Sequence, residues 1–364
     1  MANEALFDSL EIGDIDVEHR VLMAPLTRSR ATQPGDVPYD LNATYYAQRA
    51  TAGLIISEAT SVSPLGKGYA FVPGMHTDEQ EAGWKQVVDA VHEAGGIILL
   101  QLWHGGRVSH SALLPEGEVP VAPSAIKAAT QTYISADSGM VDVDAPRALT
   151  LEEIPGVVAE FRSAAERAKR AGFDGVEIHG ANGYLLDQFT RDGTNQRDDA
   201  YGGSLENRLR FPLEVAKAVA DVFGPGRVGY RVSPTGDFNE MKDSDPVNTF
   251  AALANGLSDL DLAYIHVVEA FGPAPRDEAS AEAIRNVFDG VYIANGGYTG
   301  ETGSERVGSG KADAIAYGSL FISNPDLPLR LKTDAPLADP DPATFYGGGA
   351  EGYTDYPDLS QAGV

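Results

Sequence analysis

The run His179-Gly180-Ala181-Asn182-Gly183-Tyr184 puts an imidazole, a carboxamide and a phenol within one short stretch of chain. The first two can both offer N–H donors to one oxygen, and the phenol can hold or give a proton. Taken alone, such a trio is more often structural than catalytic: a histidine at a strand end is more often a plain hydrogen-bonder, and a tyrosine five residues on usually packs a helix. Elsewhere Thr27, Gln101 and Arg231 offer a hydroxyl, an amide and a fixed cation, while Gly296-Gly297 and Gly318 can open backbone N–H groups. Together these suit a flat, hydrogen-bonding cofactor with a phosphate tail.

What is missing narrows the chemistry further. No Lys closes an apolar run, so a Schiff-base aldolase lacks its nucleophile. The seven His form no HExxH and no His-x-His at the first run, so no metal centre is expected. Glu58 and Glu269 are the best pair of carboxylates for glycoside hydrolysis, but nothing else points to a sugar cleft. The absence of Cys excludes disulfides, thiolate nucleophiles and iron–sulfur clusters. A formal net charge of −26 argues against a nucleic-acid partner. With 8 Lys and 19 Arg against 53 acidic residues, the surface has a salt-adapted, halophilic balance or that of an ordinary acidic enzyme. No signal-peptide pattern and no long apolar run are present, so a cytoplasmic protein without a membrane partner is expected.

The elements that must position these residues follow from periodicity. Apolar runs at 21–27, 53–59, 96–103, 175–181, 228–234, 263–269, 291–297 and 314–319 read as strands. Amphipathic segments near 40–51, 78–94, 151–171, 204–223, 246–258, 278–288, 299–309 and 325–332 read as the helices between them. Near-continuous apolar strands suit a parallel sheet covered on both faces, and eight β/α units predict an α/β fold closed as a (β/α)8 TIM barrel. An open doubly wound sheet is the competitor, weakened because no GxGxxG follows the first run. Residues 9–12 and 16–19 alternate around Gly13-Asp14 and predict a hairpin plugging the barrel bottom. The third β/α connection, 104–149, is a long insertion with its own alternating stretch at 132–143, as expected of a lid or wall. Residues 1–364 are read as one domain. In such a barrel chemistry sits where strands end, which is where the residues above fall.

Longer motifs sharpen this. Ala24-Pro25-Leu26-Thr27-Arg28, Gln101-Leu102-Trp103-His104-x-Gly106-Arg107, His179 through Phe189, and Tyr201-Gly202-Gly203-Ser204-x-Glu206-Asn207-Arg208 resemble, in order and spacing, the old yellow enzyme family. The similarity runs from Leu6 to Gly352-Tyr353-Thr354-Asp355-Tyr356-Pro357. It implies a non-covalently bound FMN, with Thr27 at the flavin C4 carbonyl, Gln101 at the pyrimidine edge and Arg231 near N1 and the C2 carbonyl. Pro25, Leu26 and Ala59 would pack the ring, and Gly296, Gly297 and Gly318 would bind the phosphate. Many relatives place Arg after the last of these glycines, whereas this chain has Ser319, so the phosphate keeps N–H groups and a hydroxyl but loses a bidentate cation.

The resemblance further implies that NAD(P)H reduces the flavin and that His179 and Asn182 hold the oxygen of an activated alkene. Tyr184 would be the general acid, and Asn182 marks the His/Asn version of the pair. Tyr69, Trp103 and Tyr353 match substrate-pocket positions, and the Tyr201–Arg208 run is scaffold. Without Cys, the chain resembles the branch that includes N-ethylmaleimide and nitroester reductases. The implied activity is reduction of enones, enals, maleimides and nitroalkenes, with nitroesters as further small-molecule substrates. The alternative is a flavin-binding redox sensor without alkene turnover. Oligomeric state and natural substrate are open.

Overall fold

The computed structural model describes residues 3–270 and 276–360. Eight parallel strands close a barrel: β1 (Val21–Met23), β2 (Ile55–Ser61), β3 (Ile98–Trp103), β4 (Gly175–His179), β5 (Val228–Val232), β6 (Tyr264–Val268), β7 (Val291–Asn295) and β8 (Ala314–Tyr317). Closure is made by β8 on β1, with Ile315 opposite Val21 and Tyr317 opposite Met23. All seven residues of β2 and all six of β3 are buried, as strands covered on both faces require. Each run ends as strand earlier than the apolar pattern does, except at β2 and β3. After Met23 the chain reaches Pro25, which has no N–H for the ladder, so Pro25, Leu26 and Thr27 form a loop over the mouth.

The outer layer comprises α1 (Asp40–Ala47), α2 (Asp78–Glu93), α3 (Ile154–Ala171), α5 (Leu205–Phe223), α6 (Pro246–Ser258), α7 (Glu278–Arg285), α8 (Gly300–Gly308) and α10 (Leu327–Thr333). Two short helices lie outside the periodic pattern: α4 (Leu185–Thr190) and α9 (Ser319–Ser323). All six residues of α4 are buried, so it has no polar face for periodicity to reveal.

The hairpin of Leu10–Ile12 and Ile15–Val17 closes the floor. Ile12, Ile15 and Val17 pack with Leu22, Leu54, Leu99, Ile293 and Ala314 at the strand starts. Gly13 turns the hairpin at φ 58, where a Cβ would lie 2.3 Å from the Gly226 carbonyl oxygen. The long third connection carries a second hairpin, Gln131–Tyr133 with Met140–Asp142. Its neighbours Val108, Ala128 and Val143 pack against Tyr69 and Tyr184, making the insertion a wall of the mouth. Among the described residues no helix is long and apolar enough to cross a membrane.

Candidate active site

Strand β4 ends at His179, and the turn after it decides where three functional groups point. Asn182 and Gly183 both adopt left-handed backbone, at φ 60 and φ 77. Asn tolerates that region and Gly enters it freely; a Cβ at Gly183 would also sit 2.8 Å from Met241 Cγ. The turn is pinned from outside: Asn182 N–H donates to Ser233 Oγ (2.8 Å), and Asn239 Nδ2 donates to the Asn182 carbonyl (2.9 Å). Asp187 accepts from the Gly183 N–H at 2.9 Å. The chain thereby doubles back, and the Tyr184 ring stands edge-on to His179, centroids 5.0 Å apart at 83°.

The hydrogen bonding fixes the imidazole's tautomer. Ala181 N–H donates to His179 Nδ1 at 3.3 Å, so the ring proton is on Nε2. Burial, with Arg231 and His266 adding to it, holds the His179 pKa well below the ordinary value, and the group is a neutral N–H donor. The side-chain oxygen of Asn182 is buried without a partner. Tyr184 and Tyr69 share a hydrogen bond, oxygens 3.1 Å apart. Burial first, then the Tyr69 phenol, raises the Tyr184 pKa well above its ordinary value; burial pushes Tyr69 up to about 12. Both phenols therefore keep their protons at neutral pH. Trp103 stacks on Tyr69 (5.9 Å, 4°) and meets Tyr184 edge-on (5.2 Å, 89°), with its Nε1 buried and unpartnered.

The residues expected around a cofactor come from adjacent strand ends. Ala59 on β2 lies opposite Gln101 on β3, and His179 on β4 opposite Arg231 on β5. Gln101 Nε2 donates to Glu177 Oε1 at 2.7 Å, which leaves its Oε1 as the acceptor. Arg231 Nη2 donates to Asn295 Oδ1 (3.1 Å), Asn295 Nδ2 donates to the Ala316 carbonyl (2.7 Å), and Arg231 Nε is buried without a partner. Thr27 and Leu26 are half-buried beside the buried Pro25. Leu26 Cδ2 lies 3.4 Å from where a Cβ on Gly318 would be, so the ends of β1 and β8 converge. Gly296 and Gly297 follow β7 at φ 130 and φ 67, and a Cβ on Gly296 would be 2.7 Å from the Ala270 nitrogen. Ser319, first in α9, is exposed.

Tyr353 does not join this group. It is fully buried, stacked on Tyr45 (4.1 Å, 11°), accepts from Asn42 Nδ2 at 3.1 Å, and lies under Arg30 at 4.4 Å. Its segment is clasped by arginines: Arg28 donates to the Gly352 carbonyl (2.8 Å) and Arg30 to the Thr344 carbonyl (2.9 Å). What that clasp brings toward the mouth is Tyr346, which is 67% exposed and whose phenol adds to the raised pKa of both Tyr69 and Tyr184. Tyr346 sits in a glycine-rich, aperiodic tail, where no pattern singles it out. Asn295, Ser233, Asn239 and Glu177 also emerge only here; of these, Asn295 alone had a cue, as the residue before Gly296-Gly297. The Tyr201–Arg208 run is scaffold: Arg208 Nε donates to the Thr190 carbonyl at 3.0 Å, anchoring α5 to α4.

Glu58 and Glu269 do not face a cleft. Glu58 is fully buried and accepts from the Tyr46 hydroxyl and the Arg28 N–H, both at 3.3 Å. Glu269 accepts from Arg306 Nη2 at 2.7 Å and from the Tyr292 hydroxyl at 2.8 Å. Among the described residues no group of three or more His, Asp or Glu side chains is arranged to hold a metal ion.

Residues 5–338 match the family described as NADH:flavin oxidoreductase / NADH oxidase. The chain is 47% identical to 12-oxophytodienoate reductase 1 of Oryza sativa subsp. japonica, over 98% of this chain and 93% of that protein. It is 45% identical to the flavin oxidoreductase hxnT of Emericella nidulans, over 97% of each. Among solved structures, morphinone reductase in complex with tetrahydroNAD superposes with a TM-score of 0.94 at 50% identity, covering 99% of both chains. The old yellow enzyme homologue from Zymomonas mobilis does so with 0.92 at 44%, covering 97% of this chain and 99% of that one. By sequence and by fold, this chain belongs to the old yellow enzyme family of flavin oxidoreductases.

Proposed function

We propose that this flavin oxidoreductase is an FMN-dependent, NAD(P)H-driven ene-reductase acting on activated C=C bonds in enones, enals, maleimides and nitroalkenes, with nitroesters as further substrates. The observation that carries the reading is the neutral His179, its Nε2–H free to donate, beside a Tyr184 phenol that stays protonated at neutral pH.

The mouth suits FMN on its donor set. Gln101 keeps an acceptor, Arg231 keeps an unpartnered buried Nε, and Gly296 and Gly297 take backbone angles that open N–H groups. Thr27, Gln101 and Arg231 would hold the ring's polar edge, Pro25, Leu26 and Ala59 its flat surface. Gly296, Gly297, Gly318 and the exposed Ser319 hydroxyl would hold the phosphate. When bound, FMN supplies two-electron hydride chemistry between the nicotinamide and the alkene. The chain's own part is binding and proton placement. His179 Nε2 and Asn182 Nδ2 bind the acceptor's carbonyl or nitro oxygen and stabilise the negative charge that develops there. Tyr184 gives its proton to the α-carbon, and Tyr69 hydrogen-bonds the phenol and steadies it. Trp103 and Tyr69 form the aromatic wall that keeps Tyr184 in place.

The test is the visible spectrum of the purified protein, followed by titration with a para-substituted phenol. A yellow protein that develops a long-wavelength band, and oxidises NAD(P)H faster when cyclohexenone is added, supports the proposal. A yellow protein with no enone-dependent oxidation fits a redox sensor, and a colourless one that takes up no FMN rejects both.

A further inference from the structure

Beneath Gln101 and Arg231 of the mouth lie two buried polar side chains, Glu177 and His266, that the proposed reaction leaves without a task. Four consecutive strands contribute to this network: Gln101 on β3 lies in register with Glu177 on β4, and Arg231 on β5, which stands opposite His179 two residues beyond Glu177, lies in register with His266 on β6. Glu177 and His266 are completely buried, and Gln101 and Arg231 nearly so. The carboxylate is the hub. It accepts from Gln101 Nε2 at 2.7 Å, from His266 Nδ1 at 2.8 Å and from the Tyr264 hydroxyl at 3.2 Å.

A buried carboxylate is costly unless its partners hold it ionised. Burial alone would raise its pKa, but His266, Arg231 and Gln101 outweigh burial and leave Glu177 below the ordinary carboxylate value. Burial likewise holds the His266 pKa below its usual value, against the pull of the Glu177 charge, and His266 Nδ1–H donates to the carboxylate. The Glu177 carboxylate is thus buried within electrostatic reach of the Arg231 guanidinium. The Gln101 contact by itself does not require the charge, because an amide oxygen could accept from Gln101 Nε2 equally well.

We propose that Glu177 is a positioning residue for the flavin site, which fixes the Gln101 amide with its oxygen toward the mouth, opposes the charge of Arg231, and thereby sets the reduction potential of bound FMN. This rests on the FMN reading above. Taking up two electrons and one proton leaves a flavin with one more negative charge, which Arg231 stabilises and Glu177 disfavours. The buried carboxylate thus lowers the potential and keeps the reduced flavin a stronger hydride donor than Arg231 alone would allow.

The experiment is dye-coupled potentiometry on the FMN-loaded protein and its Glu177→Gln variant. Gln keeps an acceptor for Gln101 and removes the charge. The expected result is an upward shift equivalent to at least a tenfold stronger preference for reduced flavin, about 30 mV for a two-electron couple. A structural role alone would change the melting temperature and leave the potential where it was. FMN-loaded Glu177→Gln with an unchanged potential overturns the proposal. Should that variant fail to fold, Tyr264→Phe decides: the ring stays packed over Gly229 while the carboxylate loses one of its three donors. Its negative charge is then less dispersed and the potential falls; an unchanged potential in a folded Tyr264→Phe protein is equally fatal. Failure of the wild-type chain to take up FMN would instead defeat the functional reading itself.

Discussion

At the floor of the barrel, Ile12, Ile15 and Val17 meet Leu22, Leu54, Leu99 and Ile293, and every one is buried against apolar neighbours. At the mouth, strands β3, β4 and β5 carry Gln101, Trp103, His179 and Arg231 at or near their ends, and there Trp103 Nε1, Arg231 Nε and Asn182 Oδ1 are buried without partners. A buried polar group without a hydrogen bond costs about 1–3 kcal/mol, so the mouth gives up stability that the floor does not. The difference teaches where each end gets its shape. Side-chain volume closes the floor, whereas backbone turns and hydrogen bonds arrange the mouth, leaving capacity for a ligand's own polar atoms.

The sharpest way to break this comparison is Tyr184→Phe, which removes one oxygen from the mouth and nothing from the packing. Alkene turnover should fall about 10²–10⁴-fold, the usual worth of a general acid, while flavin reduction by NAD(P)H persists. Stopped-flow separation of the two half-reactions checks this, and equal oxidative rates in variant and wild type would release Tyr184 from its assigned part. His179→Ala comes next. Loss of one preorganised donor should lower turnover about 10²–10³-fold and weaken the phenol complex. If phenol affinity is unaffected, the acceptor oxygen is held elsewhere.

Between floor and tail, Glu58 gives the comparison a pH dependence. Burial raises its pKa from 4.5 to about 7, against the Arg28 N–H and Arg28 charge. A folded-state pKa above the unfolded one means the folded chain keeps a proton that the unfolded chain releases. The contribution is therefore full below the unfolded value and is lost as pH rises through about 7. Glu58→Gln should flatten that slope, so that melting temperatures of variant and wild type diverge from about pH 5 to about pH 8, the variant higher at the alkaline end. Parallel melting curves would show that Glu58 is ionised throughout.

The sequence legibly encoded whatever repeats. Eight apolar runs with helices between them can bury both faces of a parallel sheet in few ways, so barrel, floor hairpin and wall insertion were all readable from periodicity. The strand-end residues were readable because barrel chemistry has a fixed address. Illegible were contacts that depend on a turn's exact path. Asn239 reaches the Asn182 carbonyl only because it is itself left-handed, at φ 57, and nothing local in Phe238-Asn239-Glu240 announces that. Tyr353 and Tyr346 show the same limit in the tail: both are aromatic and seven residues apart, yet one is fully buried and the other 67% exposed. Arg28 and Arg30 make that choice from more than 300 residues away along the chain. Glu177 reads as one more residue of a buried strand until its three donors are seen to converge.

The smallest effect is expected at the floor, and it tests whether the two ends are independent. Ile12→Val deletes one methylene from a fully buried site and should cost about 0.5–1.5 kcal/mol in denaturant-induced unfolding. On the contrast drawn above, FMN affinity and enone turnover should not move. One residue makes this a demanding test: the Tyr264 ring packs in the floor cluster, while its hydroxyl donates to Glu177 beneath the mouth. Interiors packed at crystal-like density transmit small displacements, so a looser floor has a route to the carboxylate. An Ile12→Val protein that loses stability but keeps its flavin potential would show that Tyr264 holds its position from the ring's other contacts. A shift in potential alongside the lost stability would make floor and mouth one mechanical unit, coupled through that single phenol.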